Sequence, residues 1–232
     1  MLSIIPETVI NTARYVSLLA RYGFKPDGRH RPRLNPTQTH TVMVLPGFLG
    51  PRSVTRPLQM YLESRGMPSF GFNLGMYSAL PMETVLKALM HRISQVRRSA
   101  PWIRRFDLVG HSMGGILSAQ AIKRGALDGL ETRFVGLGTP FSGTYAALAC
   151  LMIPGAFDLL PIHDRYRDLI GQTWLEQTLF LSIAGGFDVL APPDRCHHPL
   201  AKNIIFPDVD HAGLLVREDV FAAVYDFLAR PV

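Results

Sequence analysis

Phe106-Asp107-Leu108-Val109-Gly110-His111-Ser112-Met113-Gly114-Gly115, residues 106–115, is an apolar run that closes on G-x-S-x-G, with glycine at 110 and 114 around Ser112. Three fixed positions in five are common. The setting makes them specific: an apolar strand runs straight in, and a helical stretch (GGILSAQAIKR) runs straight out. A serine that must project above a sheet from a very tight turn needs that strand–turn–helix context, with glycines where side chains would collide. Ser112 is therefore read as a nucleophile. The helix beginning beneath it places positive potential where an oxyanion would develop. His111 is next to the serine in sequence, but neighbours on such a turn point in different directions. It is read as a packed or hydrogen-bonded support residue.

Around this segment the chain alternates short apolar runs with helical stretches. Residues 41–45, 68–72, 106–109, 134–137, 179–183 and 203–206 read as strands. Residues 54–65, 82–98, 113–124 and 216–228 read as helices. Non-alternating apolar runs separated by helices describe an α/β domain: a mostly parallel central sheet with helices on both faces. Right-handed crossovers bring the loops that follow the strands to one edge, where ligands of such sheets bind.

That edge supplies the partners a serine nucleophile needs. The loop after the first core strand, Pro46-Gly47-Phe48-Leu49-Gly50, offers the Phe48 backbone N–H as one oxyanion donor, with Leu49 as second choice. Met113, directly after the serine, offers the other. The base needs a carboxylate to hold its tautomer, and the expected chain order is serine, acid, histidine. Asp188 follows the strand at 179–183 and two glycines, with Asp194 on the same loop as runner-up. His211 lies between the last strand and the last helix and should reach Ser112. His197 and His198 precede that last strand and read as surface residues or caps. With Cys196 they lack the spacing of a metal site, and neither metal nor cofactor is expected. Asp208 and Asp210 read as solvated turn residues.

Pro46-Gly47-Phe48, Gly110-His111-Ser112-Met113-Gly114-Gly115, Gly138-Thr139-Pro140 with Ser142-Gly143-Thr144, Asp188 and His211 together resemble the lipase/esterase branch of the α/β-hydrolase superfamily. The resemblance covers roughly residues 40–230. It implies the α/β-hydrolase fold and hydrolysis of carboxylic esters through an acyl-enzyme, without a cofactor. Many lipases carry His-Gly where this chain has Pro46-Gly47; the backbone donor survives that change, but a particular lipase's substrate does not carry over. The same acyl-enzyme would serve an acyltransferase, and the fold could also serve a non-catalytic binding protein.

The expected organisation is an N-terminal amphipathic helix and connector over residues 1–38, then a catalytic domain over 39–232 with a cap-like insertion at about 144–178. The insertion's apolar stretch, residues 145–160 (YAALACLMIPGAFDLL), is read as a partial cap, and residues 165–177 as the crossover helix. Leu49, Phe48, Met113 and Phe141 are expected to line an apolar acyl pocket, which points to an ester with an apolar acyl chain.

The 232 residues suit one α/β domain, and 47% hydrophobic with 18% charged residues excludes the disordered class. A net charge of +6 comes from scattered arginines, without the aromatic-interleaved stripe of a nucleic-acid binder. Cys150 and Cys196 are too few for a disulfide framework and read as unrelated thiols, with one bridge as the alternative. No apolar run is long enough to span a bilayer, and residues 1–20 lack the positive start of a signal peptide, so a cytoplasmic protein is expected. The helix over residues 4–22 is expected to pack on the domain, with peripheral membrane contact as the alternative. Oligomeric state is not legible.

Overall fold

The computed structural model describes Ile10 and residues 13–17, 34–170 and 178–230. Residues 13–17 are helical. The remainder of the expected helix at 4–22, the connector up to residue 33, and residues 171–177 of the expected crossover helix lie outside the described residues.

Six strands form one parallel sheet: β1 (His40–Leu45), β2 (Ser69–Gly71), β3 (Arg105–His111), β4 (Arg133–Leu137), β5 (Leu179–Gly185) and β6 (Lys202–Phe206), in the order β2-β1-β3-β4-β5-β6. The helices are α1 (Arg56–Glu63), α2 (Met82–Ser99), α3 (Met113–Lys123), α4 (Pro154–Phe157), α5 (Asp164–Ile170), α6 (Pro193–Cys196) and α7 (Glu218–Ala229). Alternate residues of each strand feed two cores. Met43, Leu45, Phe106, Leu108 and Phe134 pack under α2 and α3. Val42, Val44, Val109, Val135 and Ile183 pack under α1 and α7. Burial on both faces is why the strands read as continuous apolar runs.

Strand order reverses beside β1. The chain moves outward from β1 to β2, then returns past β1 to begin β3 on its other side. The loops leaving β1 and β3 therefore diverge, and the gap between them at the C-terminal edge is the crevice where ligands of open α/β sheets bind. Phe48 follows β1 and Ser112 follows β3.

The expected insertion departs from the same edge, after β4. It holds a 3-10 turn at Tyr145–Cys150, then α4 and α5. It is pinned at both ends of its apolar part. The Thr144 hydroxyl donates to the Leu190 carbonyl at 2.6 Å. Asp158 accepts the first N–H of α2, from Met82, at 2.6 Å and pairs with Arg165 at 2.7 Å. Pro81, at the cap position of α2, offers no side-chain acceptor, so this distant carboxylate does the capping. Cys150 and Cys196 are both free thiols. No helix among the described residues is long and apolar enough to cross a membrane.

Candidate active site

Ser112 sits at the top of β3 with φ 52° and ψ −124°. A non-glycine residue there costs on the order of 1–2 kcal/mol, and such strain persists only where the surroundings enforce it. The enforcement is visible. The Ser112 N–H donates to the Leu137 carbonyl of β4 at 2.8 Å, and α3 starts at the next residue. Side chains beside the serine have no room: a Cβ on Gly110 would lie 2.4 Å from the Gly115 Cα, and one on Gly114 2.4 Å from the Pro46 carbonyl oxygen. The glycine spacing read in the sequence is thus the spacing of two backbone crossings.

The turn after β1 adjoins the serine; a Cβ on Gly47 would fall 2.9 Å from the Ser112 Cβ. The turn closes with Gly50 N–H to the Gly47 carbonyl at 3.0 Å, and Leu49 within it has φ 52°. The Leu49 N–H donates to the Ser78 hydroxyl at 2.6 Å, which removes it as an alternative oxyanion donor. The N–H groups of Phe48 and Met113 have no hydrogen-bond partner among the described residues. Met113 is the first residue of α3, where no intrahelical acceptor exists.

Asp188 and His211 come together from the loops after β5 and β6. His211 Nδ1 lies 2.6 Å from Asp188 Oδ2, and the Asp188 side chain is wholly buried. The other carboxylate oxygen accepts the N–H groups of Leu190 at 2.9 Å and Ala191 at 2.8 Å. With Nδ1 donating to a carboxylate, the imidazole keeps a bare lone pair on Nε2. Asp194 is turned away, against Arg195 on the surface. Asp210 accepts the Gly213 N–H at 2.6 Å and Asp208 pairs with Arg217 at 2.8 Å, so both serve their own turn.

His111 links the serine to the histidine. Its ring lies 4.4 Å from the His211 ring, and its Nε2–H donates to the His211 carbonyl at 3.1 Å. That bond leaves Nδ1 as an acceptor, and Nδ1 is buried without a partner. Burial first, and the neighbouring His211 second, hold the His111 pKa well below the usual histidine value. The residue is a neutral brace, as its position beside the serine implied.

Three expectations need correction. The Met113 side chain, expected in the acyl pocket, is fully buried in the core. Phe141 is fully buried and lines no open surface. Its ring packs edge-on against Phe180, His198 and Phe134, with centroids 5.2, 5.4 and 6.1 Å away, over the strand residue Gly136, where any Cβ would lie 2.8 Å from the ring. Only a glycine leaves space there, so the ring turns into the core. His198, expected on the surface or as a cap, is buried: Nε2 contacts the Leu169 carbonyl at 2.9 Å, while Nδ1 accepts the Leu200 N–H at 3.2 Å as a local cap would. Among the described residues, no three His, Cys, Asp or Glu side chains are grouped so as to hold a metal ion. The sequence reading missed Ser78, which carries no local signal; Thr144 stood in the quoted motif, and its hydroxyl also accepts the Ala146 N–H at the start of the 3-10 turn.

No protein-family profile and no curated protein matches the chain. Solved structures do. The Bacillus licheniformis lipase BlEst2 in its propeptide form is 18% identical over 88% of this chain and 52% of its own, with a TM-score of 0.71. The chain thus spans about half of that form and 95% of the mature one, for which the TM-score is 0.67. The Aspergillus fumigatus lipase B is 17% identical over 88% of this chain and 55% of its own, at 0.69. The putative non-heme bromoperoxidase BpoC of Mycobacterium tuberculosis is 16% identical over 83% of this chain and 92% of its own, at 0.62. At such identities the shared property is architecture. With the parallel sheet, its reversal beside β1 and the strained serine after β3, these matches show that the chain has the α/β-hydrolase fold.

Proposed function

We propose that the chain is a serine carboxylic-ester hydrolase. The observation that carries this reading is the 2.6 Å contact of His211 Nδ1 with a wholly buried carboxylate, beside a serine held at positive φ. A binding module needs neither.

The chemistry follows. Ser112 Oγ attacks the ester carbonyl carbon as its proton passes to His211 Nε2, and Asp188 stabilises the imidazolium. The Phe48 and Met113 N–H groups receive the oxyanion of the tetrahedral intermediate. Collapse breaks the bond to the alkoxy oxygen, which leaves with the proton from His211. Water then repeats the sequence and frees the acid. The expected reach of His211 to Ser112 is not present as a hydrogen bond, since the Ser112 hydroxyl has none among the described residues; such contacts often tighten only around bound substrate.

The preferred substrate is an ester with an apolar acyl chain. Large apolar side chains stand exposed on the segments after β2, β4 and β5, all at the C-terminal edge: Tyr77, Leu148, Met152, Phe157, Phe187 and Val189, with Met152 96% exposed. Exposed apolar side chains at the edge that carries Ser112 suit contact with an apolar ligand.

Hydrolysis of nitrophenyl esters of increasing acyl length tests the proposal, with wild type beside Ser112→Ala. Wild type should turn over, with an optimum beyond acetate, and Ser112→Ala should lose at least about 10⁴-fold in kcat. A folded wild type that cleaves no ester of any length would sink the reading.

A further inference from the structure

The Phe48 donor stands on a turn that holds itself poorly. A four-residue turn has one soft coordinate, the flip of its central peptide, which separates type I from type II. Here that peptide joins Phe48 to Leu49, and Leu49 sits at φ 52°, where the turn would ordinarily call for glycine. What opposes relaxation is the hydroxyl of Ser78, which accepts the Leu49 N–H at 2.6 Å. Ser78 is fully buried and comes from a different part of the chain, the 3-10 turn Gly75–Ala79 after β2.

That 3-10 turn is in turn held from outside by the insertion. Gly155 of α4 lies so close to it that a Cβ there would fall 2.0 Å from the Ser78 carbonyl oxygen and 2.9 Å from that of Leu80. Three residues on, Asp158 grips the Met82 N–H at 2.6 Å. The stretch from Ser78 to the start of α2 is thus held by the insertion at two points.

We infer that Ser78 is a positioning residue: by holding the Leu49 N–H it keeps the strained turn Gly47–Gly50 in one form, and the first peptide of that turn, Gly47–Phe48, carries the Phe48 N–H that receives the oxyanion, while Gly155 sets where Ser78 stands. This rests on the serine-hydrolase reading above. It connects the cap to the chemistry through named atoms: Gly155 Cα against the Ser78 backbone, the Ser78 hydroxyl to the Leu49 N–H, and Phe48 beside Ser112.

A residue that positions an oxyanion donor acts on the transition state and leaves ground-state binding alone. The test uses the full chain with a soluble nitrophenyl ester. It compares wild type, Ser78→Ala, which removes the acceptor, and Ser78→Cys, which keeps the volume and offers only a weak one. kcat should fall about 10- to 100-fold in Ser78→Ala and less in Ser78→Cys, with KM within about twofold, since removing an oxyanion donor outright costs about 10²–10³. Inactivation by an organophosphonate, whose phosphoryl oxygen occupies the oxyanion position, should slow by the same factor as kcat. A folded Ser78→Cys or Ser78→Ala that keeps wild-type kcat and wild-type inactivation overturns the role of Ser78 alone. A folded wild type inert to both ester and phosphonate overturns the serine-hydrolase reading, and this inference with it.

Discussion

Asp107 and Asp188 are both wholly buried side chains, at opposite edges of one sheet. Asp107, near the start of β3, is surrounded by donors. His40 Nε2 lies at 2.8 Å, the Arg105 guanidinium at 2.6 Å, and the Arg133 backbone N–H at 2.9 Å. The two arginines continue to the last carbonyls of α7: Arg133 reaches Phe227 at 3.0 Å and Leu228 at 2.9 Å, and Arg105 reaches Leu228 at 2.5 Å. A permanent cation and the closing helix are thus fixed to one carboxylate. Asp188 has two backbone amides and one partner whose charge can change, His211. The strained non-glycine residues Ser112 and Leu49 lie at its edge. One edge gives its buried carboxylate a permanent cation, and the other gives it a histidine. Backbone strain at non-glycine residues collects at the edge where the chemistry is proposed.

Substitution should separate the two carboxylates. Asp188→Asn keeps the shape but no longer favours the tautomer with a bare Nε2, so kcat should fall by about 10³–10⁴ with the melting temperature little changed. Asp107→Asn should do the reverse. It leaves Arg105 facing a neutral amide in a buried place, which should cost about 3 kcal/mol of stability in urea unfolding. Its folded fraction should keep kcat within about twofold. If Asp107→Asn stays stable and loses turnover as fully as Asp188→Asn, the division of labour between the edges is wrong.

The parts of this arrangement that were legible in the sequence are those whose physics is local. The elbow needs glycines at fixed offsets from its serine, so Gly110 and Gly114 announced Ser112. The contact of Asp188 with His211 was legible because the loops that follow parallel strands must share an edge, so chain order narrowed the choice. Helices such as α2 and α7 carried a complete apolar stripe. Illegible were properties that arise only when distant segments meet. Nothing near Ser78 tells of Leu49, and nothing near Asp158 tells that it caps a helix 76 residues earlier. Phe141 was misplaced for the same reason. Whether its ring enters the site or the core depends on the space above Gly136, a residue of a neighbouring element. His198 was read as a surface residue or a cap; it does accept the nearby Leu200 N–H, but the partners that bury it, Leu169 and the Phe141–Phe180 cluster, are far away in the chain.

The smallest expected effect concerns the brace between the serine and the base. Burial, then the proximity of His211, depress the His111 pKa, so the folded protein holds the ring neutral. The unfolded chain protonates it at about 6.5. Below that pH the unfolded state binds a proton the folded state refuses, so the stability contributed by neutral burial is present above about 6.5 and is lost as pH falls toward the folded pKa. His198, also depressed chiefly by burial, pulls the same way. Urea midpoints measured from pH 7.5 down to 5 should therefore decline in wild type. His111→Leu removes one of the two protons in play, so its decline should be shallower by about 1.4 kcal/mol per pH unit below pH 6. The His198 share should remain. Parallel slopes in the two proteins would mean that His111 takes up its proton while folded. Its unpartnered Nδ1 would then be open to protonation.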